Sequence, residues 1–211
     1  MSGGRRAATL PVGFFHQDAV SVARGLLGAL LVTEFRGCRT EGRIVEVEAY
    51  FGADDPASHA FRHRRHAHNG SLYLEPGTWY VYLSYGMHWC ANLVAGPSGS
   101  GAAVLLRAIE PLAGLEAMRR RRGLSEAARL GAGPGRLCQA LGITRTRLDG
   151  RAMARSPARI IARGSPDPAD ILATPRIGIT KAADWPLRFL LRDSRWVSGG
   201  QGRKGMPGGV K

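Results

Sequence analysis

Residues 75–94 read EPGTWYVYLSYGMHWCANLV. Glu75-Pro76-Gly77-Thr78 has the composition of a type II turn, with Pro at its second position and Gly at its third. Two alternating, aromatic-rich runs follow, Trp79–Ser84 and Met87–Val94, separated only by Tyr85-Gly86. Two residues between such runs predict an antiparallel hairpin. Tyr80 and Tyr82 fall on one face of the first strand; Trp79 and Val81 fall on the other and suit a core. Tyr85 sits at the tip, where a side chain cannot easily be core. Tyrosine is not the residue a tight turn selects, so its presence there asks for a functional reason.

Upstream, residues 43–50 (RIVEVEAY) alternate strictly, which predicts a strand with Val45, Val47 and Ala49 on one face and Ile44, Glu46, Glu48 and Tyr50 on the other. The strand pattern begins at Thr33. Before it, Asp18–Leu31 reads as a helix, with Asp18 as cap and Ala19, Val22, Leu26 and Leu30 at helical spacing. Downstream, Ala102–Ala108 reads as a strand and Leu112–Arg122 as a helix ending in four arginines that form a solvated basic face. A short helix at Arg136–Leu141 follows, then strands at Arg176–Thr180 and Leu187–Leu191. No repeat is present, and strands and helices do not alternate regularly. The fold class is therefore α+β: one mixed domain over residues 11–198 with a mainly antiparallel sheet. Gly/Arg/Lys-rich stretches at 1–10 and 199–211 are expected to be flexible tails.

The 211 residues suffice for one substantial core. No apolar run approaches the roughly 20 residues of a membrane span, and the basic N-terminus lacks the apolar stretch of a secretory leader. Cys38, Cys90 and Cys138 are odd in number and widely spaced, so reduced thiols in a cytoplasmic protein are expected. Thirty basic against sixteen acidic side chains leave a net charge of +14 and point to a phosphate-rich partner.

Several residues could carry chemistry. Glu46 and Glu48 share a strand face; spacing alone favours a pair of solvated surface acids, while close carboxylates can also pair with a base. His59, His63, His66 and His68 lie close together, but Arg62, Arg64 and Arg65 among them would repel a cation. No metal site is expected there; a phosphate-touching loop fits better. Gly133-Pro134-Gly135-Arg136 before a helix offers backbone N–H groups to a phosphate, though many structural turns look alike.

These segments, in this order, resemble the alkyladenine (3-methyladenine) DNA glycosylase family. The matching stretches include RIVEVEAYFGADDPASHA (43–60), EPGTWYVYLSYGMHWCANLV (75–94), AVLLRAIEPLAGLEAMR (103–119), GAGPGRLCQALGI (131–143) and PRIGIT (175–180) with PLRFLLRDSRWVS (186–198). The resemblance implies a bacterial member with a curved sheet and a protruding hairpin that enters the DNA minor groove. It implies that Glu48 is the general base and that Arg107 lies near the catalytic water. Tyr50, His59 and Tyr82 would wall in a flipped base, Asn92 would discriminate against guanine, and Tyr85 would fill the gap in the duplex. It implies no metal and no organic cofactor. The expected activity is monofunctional excision of 3-methyladenine, 7-methylguanine, hypoxanthine and ethenoadenine class purines from double-stranded DNA, leaving an abasic site. A nucleoid-associated cytoplasmic protein with no membrane attachment, monomeric by default, follows. The loop at 61–74 is richer in His than the family pattern.

Two rivals remain at the level of residues. A non-enzymatic basic nucleic-acid-binding protein explains the charge but not the acid motif. An O-glycosidase could use Glu46 and Glu48, about 7 Å apart on one strand face, a separation inversion tolerates. Both acids would then approach from the same side, whereas inversion needs opposite faces. Arg107 keeps two readings: it orients a water or phosphate, or it pairs with Glu46 or Glu48.

Overall fold

Alternation becomes pairing in the computed structural model, which describes residues 8–199. Its strands are Leu30–Phe35 (β1), Cys38–Tyr50 (β2), Trp79–Ser84 (β3), His88–Val94 (β4), Ala103–Ala113 (β5), Ala158–Ile161 (β6), Ile171–Thr174 (β7) and Arg188–Leu191 (β8). They form one sheet in the order β3-β4-β5-β2-β1-β6, and every pairing is antiparallel. The long β2 pairs with β1 through its first half and with β8 through Glu46–Glu48, while β7 lies beyond β8. The sheet curls into a half-barrel, and the α+β class holds. Of the expected tails, 1–7 and 200–211 lie outside the described residues; Leu10 N–H bonds to Ile160 O at 2.9 Å beside β6.

Helices cover the sheet face that carries the main core. They are Ala19–Leu26 (α1), Leu115–Arg122 (α2), Pro134–Leu141 (α3) and Arg145–Leu148 (α4). Asp18 caps α1 as expected, accepting from Val20 N–H at 2.9 Å and Ser21 N–H at 3.0 Å. Hydrogen bonds from Ser21 hold its carboxyl below the usual range. The helix stops short of the expected Leu31. Gly28 turns the chain at φ +82°, and Leu30 and Leu31 join β1, where they pair with Arg43 and Gly42. Val22, Ala23 and Leu26 of α1 and Leu137, Cys138 and Leu141 of α3 pack on Ile44, Val47, Leu106 and Ile109 of the sheet. That burial, at about 25 cal/mol per Å² of apolar surface, drives the fold.

Four local expectations change. The strict alternation of β2 breaks at a bulge: Ile44 pairs with Ile109 and Glu46 with Ala108, leaving Val45 without a partner. Ile44 therefore joins Val47 and Ala49 in the main core, and Val45 joins Ala108 and Leu190 on the other face. Strand β5 runs to Ala113, five residues past the expected end, because its pairing with β2 continues to Glu41; helix α2 starts only after Gly114. A side chain at Gly114 would collide with the Arg39 carbonyl oxygen. Arg176–Thr180 is not a strand; β7 lies just before it, and Ile177 N–H bonds a carboxylate instead of a ladder neighbour. The four arginines of α2 are not all solvated: Arg121 Nη1 donates to Ala140 O at 2.9 Å and ties α2 to α3.

Candidate active site

The sheet register lines up the site. Tyr80 lies opposite Asn92, Asn92 opposite Leu105, Leu105 opposite Glu48, and Glu48 opposite Arg188, a row across five strands. Paired residues share a face, so this row lies on the face opposite the main core, which takes the alternate residues Val47, Val81, Leu93 and Leu106. A cleft of about 510 Å³ opens there, and all seven residues expected from the sequence line it: Glu48, Tyr50, His59, Tyr82, Tyr85, Asn92 and Arg107. Its size is within the range that holds small ligands, about 300–1,000 Å³.

Glu46 and Glu48 are both fully buried, which overturns the expectation of solvated acids. Burial is possible because two guanidiniums meet two carboxylates. Arg107 Nε donates to Glu46 Oε1 at 3.0 Å, and its Nη1 lies 3.1 Å from Glu48 Oε1. Arg188 Nε donates to Glu46 Oε1 at 2.7 Å, as does Ser198 Oγ at 2.7 Å. Arg107 thus bridges both acids, which joins the two readings left open for it. Burial opposes its charge, but Glu48 and Glu46 outweigh burial and raise its pKa overall.

Glu48 receives two further donors. Ile177 N–H donates to Oε1 at 2.8 Å, and Tyr50 OH donates to Oε2 at 2.8 Å. Burial, then the Glu48 charge, pushes the Tyr50 phenol well above its ordinary pKa and keeps it a donor. A carboxylate offers about four acceptor positions. Three donors leave one position for a water.

The aromatic walls come from three places. The Tyr80 and Tyr82 rings stack at 5.4 Å, and His59 meets Tyr82 edge-on at 4.5 Å. His59 Nδ1 lies 2.7 Å from Tyr80 OH. Its ring opens to the cleft, yet surrounding protein, then His66, lowers its pKa and favours the neutral imidazole. Burial raises Tyr82 and Cys90 as well, which favours their neutral forms. Asn92 Nδ2 donates to Tyr80 O at 3.1 Å, which fixes the amide.

At the mouth stands the β3–β4 turn. Met87 N–H donates to Ser84 O at 3.1 Å, and Tyr85 and Gly86 take φ of +50° and +67°. A tyrosine in the left-handed region is costly, and Tyr85 is 82% exposed with Met87 at 72%. Among the described residues no cluster of three His, Cys, Asp or Glu could hold a metal ion.

Residues 13–195 match the methylpurine-DNA glycosylase family over their whole extent. The chain belongs to the methylpurine-DNA glycosylase family. A protein of Methanoculleus marisnigri that bears the provisional name 3-methyladenine DNA glycosylase is 47% identical over 193 residues, covering 90% of this chain and 98% of its own. One from Rhodopseudomonas palustris with the same provisional name is 49% identical over 186 residues, 88% of each chain. The human DNA-3-methyladenine glycosylase is 42% identical over 204 residues, covering 90% of this chain and 67% of its own. The chain is accordingly a hydrolase of N-glycosyl bonds that acts on DNA in the repair of alkylated bases. Both the non-enzymatic reading and the O-glycosidase reading fall. No helix among its described residues is long and apolar enough to cross a membrane.

Reading the sequence missed Ile177 as a Glu48 partner, the Glu46 anchors Arg188 and Ser198, and the tie of Tyr80 to His59. A backbone N–H leaves no trace in residue type. Arg188 had a trace, a lone cation in the apolar run LRFLL.

Proposed function

We propose that this glycosylase flips alkylated and deaminated purines out of duplex DNA and hydrolyses the N-glycosidic bond with Glu48 as general base. The observation that carries the reading is the Glu48 carboxylate: fully buried, paired with Arg107, three acceptor positions filled, and facing an aromatic cleft. A base in a duplex stack cannot reach a recessed carboxylate, so it must be extruded. Extrusion costs a few kcal/mol and least for damaged bases.

Tyr50, His59 and Tyr82 form flat walls for the extruded purine. An N-alkylated purine is cationic and gains about 0.5–2 kcal/mol from an aromatic face. As the bond to the base breaks, the sugar becomes oxocarbenium-like. Water attacks the anomeric carbon, Glu48 takes the proton from that water, and the purine departs with the bonding electrons. Arg107 holds the Glu48 carboxylate in place and lies close enough to orient the water. The one lysine among the described residues, Lys181, does not line the cleft. With no lysine of the described residues in the cleft to form a Schiff base, the product is an intact strand with an abasic site. Asn92, fixed by Tyr80 O, crowds a guanine 2-amino group.

The test uses duplex DNA carrying a single hypoxanthine or ethenoadenine, followed by alkali. Strand breaks only after alkali are expected; no abasic product from any alkylated or deaminated purine would sink the proposal.

Tyr85 serves as the wedge that fills the vacated stack from the minor groove. Its strained backbone and exposure have no use within the fold. Tyr85→Ser is expected to lower excision from duplex DNA by about tenfold, as about 1.4 kcal/mol of the few kcal/mol of unstacking is left uncompensated. Melting temperature should be unchanged. Equal duplex rates for variant and parent would remove Tyr85 from the mechanism. Arg62, Arg64 and Arg65 on the exposed loop beside the cleft are suited to neighbouring phosphates.

A further inference from the structure

Behind one wall of the cleft lies a buried cation. The Arg176 guanidinium carbon sits 4.5 Å from the centre of the Tyr50 ring and 6.0 Å from that of Trp185. Arg176 is buried and does not line the cleft, whereas Tyr50 does. The guanidinium therefore occupies the Tyr50 face turned away from the ligand space. Asp55, itself fully buried, binds it through both carboxylate oxygens: Oδ1 accepts from Nη2 at 2.9 Å and Oδ2 from Nη1. Arg176 Nη1 also donates to Ala49 O at 3.1 Å. These bonds lie at the edge of the guanidinium, so its flat face remains against the ring.

An aromatic ring attracts a cation through the negative charge above and below its plane. A cation on one face draws that charge toward itself and repels a second cation on the opposite face. We propose that Arg176, acting through Tyr50, sets how strongly the base site favours cationic over neutral purines. It is a positioning and tuning residue that never touches substrate. Its charge weakens the hold of Tyr50 on an N-alkylated, cationic base and leaves stacking on a neutral purine nearly intact, which widens the substrate range toward neutral lesions. Asp55 sets the strength of the effect by partly neutralising the guanidinium. The inference rests on Tyr50 being a wall of the base site.

The test measures single-turnover excision of 7-methylguanine, which is cationic, and hypoxanthine, which is neutral, in the same duplex context. Arg176→Met combined with Asp55→Asn removes the cation without leaving a buried carboxylate unpaired; Met fills the space of the stem. The ratio of cationic to neutral excision is expected to rise by about 2- to 30-fold, the range that one cation–π contact spans. Asp55→Asn alone keeps the cation and strips its counter-ion, so the ratio should fall. That single variant still decides the matter if the double variant does not fold. A purely structural role lowers both rates together and leaves the ratio at the parent value; that result overturns the proposal. Tyr50→Leu separates the two layers. If it lowers excision while Asp55→Asn leaves the ratio unmoved, only the role of Arg176 falls. If Tyr50→Leu changes neither rate, the wall itself is wrong.

Discussion

Glu48→Gln is expected to lower single-turnover excision by at least about 100-fold, the lower bound for loss of a positioned general base, while binding to lesion duplex changes little. The amide fits the site. Its oxygen can keep the Ile177 N–H and the Arg107 contact, and its NH2 can face the Tyr50 oxygen, with the phenol turning its proton away. What the amide cannot do is accept the proton of the attacking water. It also removes the negative charge that faces the developing oxocarbenium. Ground-state contacts to the extruded base come from Tyr50, His59, Tyr82 and Asn92 and remain. The measurement pairs rapid-quench excision with a gel-shift titration of the same duplex. Near-parental excision would exclude Glu48 as the base. Loss of binding in proportion to rate would make it a binding residue instead.

The second large effect concerns Arg107. It is the only cation that contacts both Glu46 and Glu48 among the described ion pairs. Arg107→Met leaves Glu46 with Arg188 and Ser198 but strips Glu48 of its counter-ion inside the protein. Removing one partner of a buried pair costs about 3–5 kcal/mol, a large share of a typical total of about 5–15 kcal/mol. For a domain of this size that corresponds to a melting temperature lower by roughly 6–20 °C. Excision should fall as well, since Glu48 loses the guanidinium that fixes its position. Arg107→Lys keeps the charge but not the fork that reaches two carboxylates, so it should recover only part of the stability. A melting temperature within about 2 °C of the parent for Arg107→Met would mean that the network contributes little.

Much of the architecture was legible because the period of the pattern is local. The hairpin of Trp79–Val94, the turn at Glu75–Thr78, the Asp18 cap and the face shared by Glu46, Glu48 and Tyr50 all follow from residue spacing. Where a boundary failed, a long-range partner decided. Leu30 and Leu31 fit the helical period of α1 yet pair with β2, and β5 outruns its apolar pattern because Gly42 and Glu41 continue the ladder. The bulge at Val45 moves Ile44 to the main core without any change in composition.

The sequence by itself determined strands β2 to β5 and β8, the basic charge and, through its motifs, the family and seven of the residues that line the cleft. Only the tertiary structure decided what those residues feel. It buried two acids that spacing alone would leave in water, supplied Arg107 and Arg188 to balance them, and brought the Ile177 amide from 129 positions away onto Glu48. It also set Arg176 behind Tyr50. The reason is physical. Periodicity records which way a side chain points, but the protonation and strength of a carboxylate or an aromatic face depend on charges and donors within a few ångströms, and those arrive from segments far away in the chain.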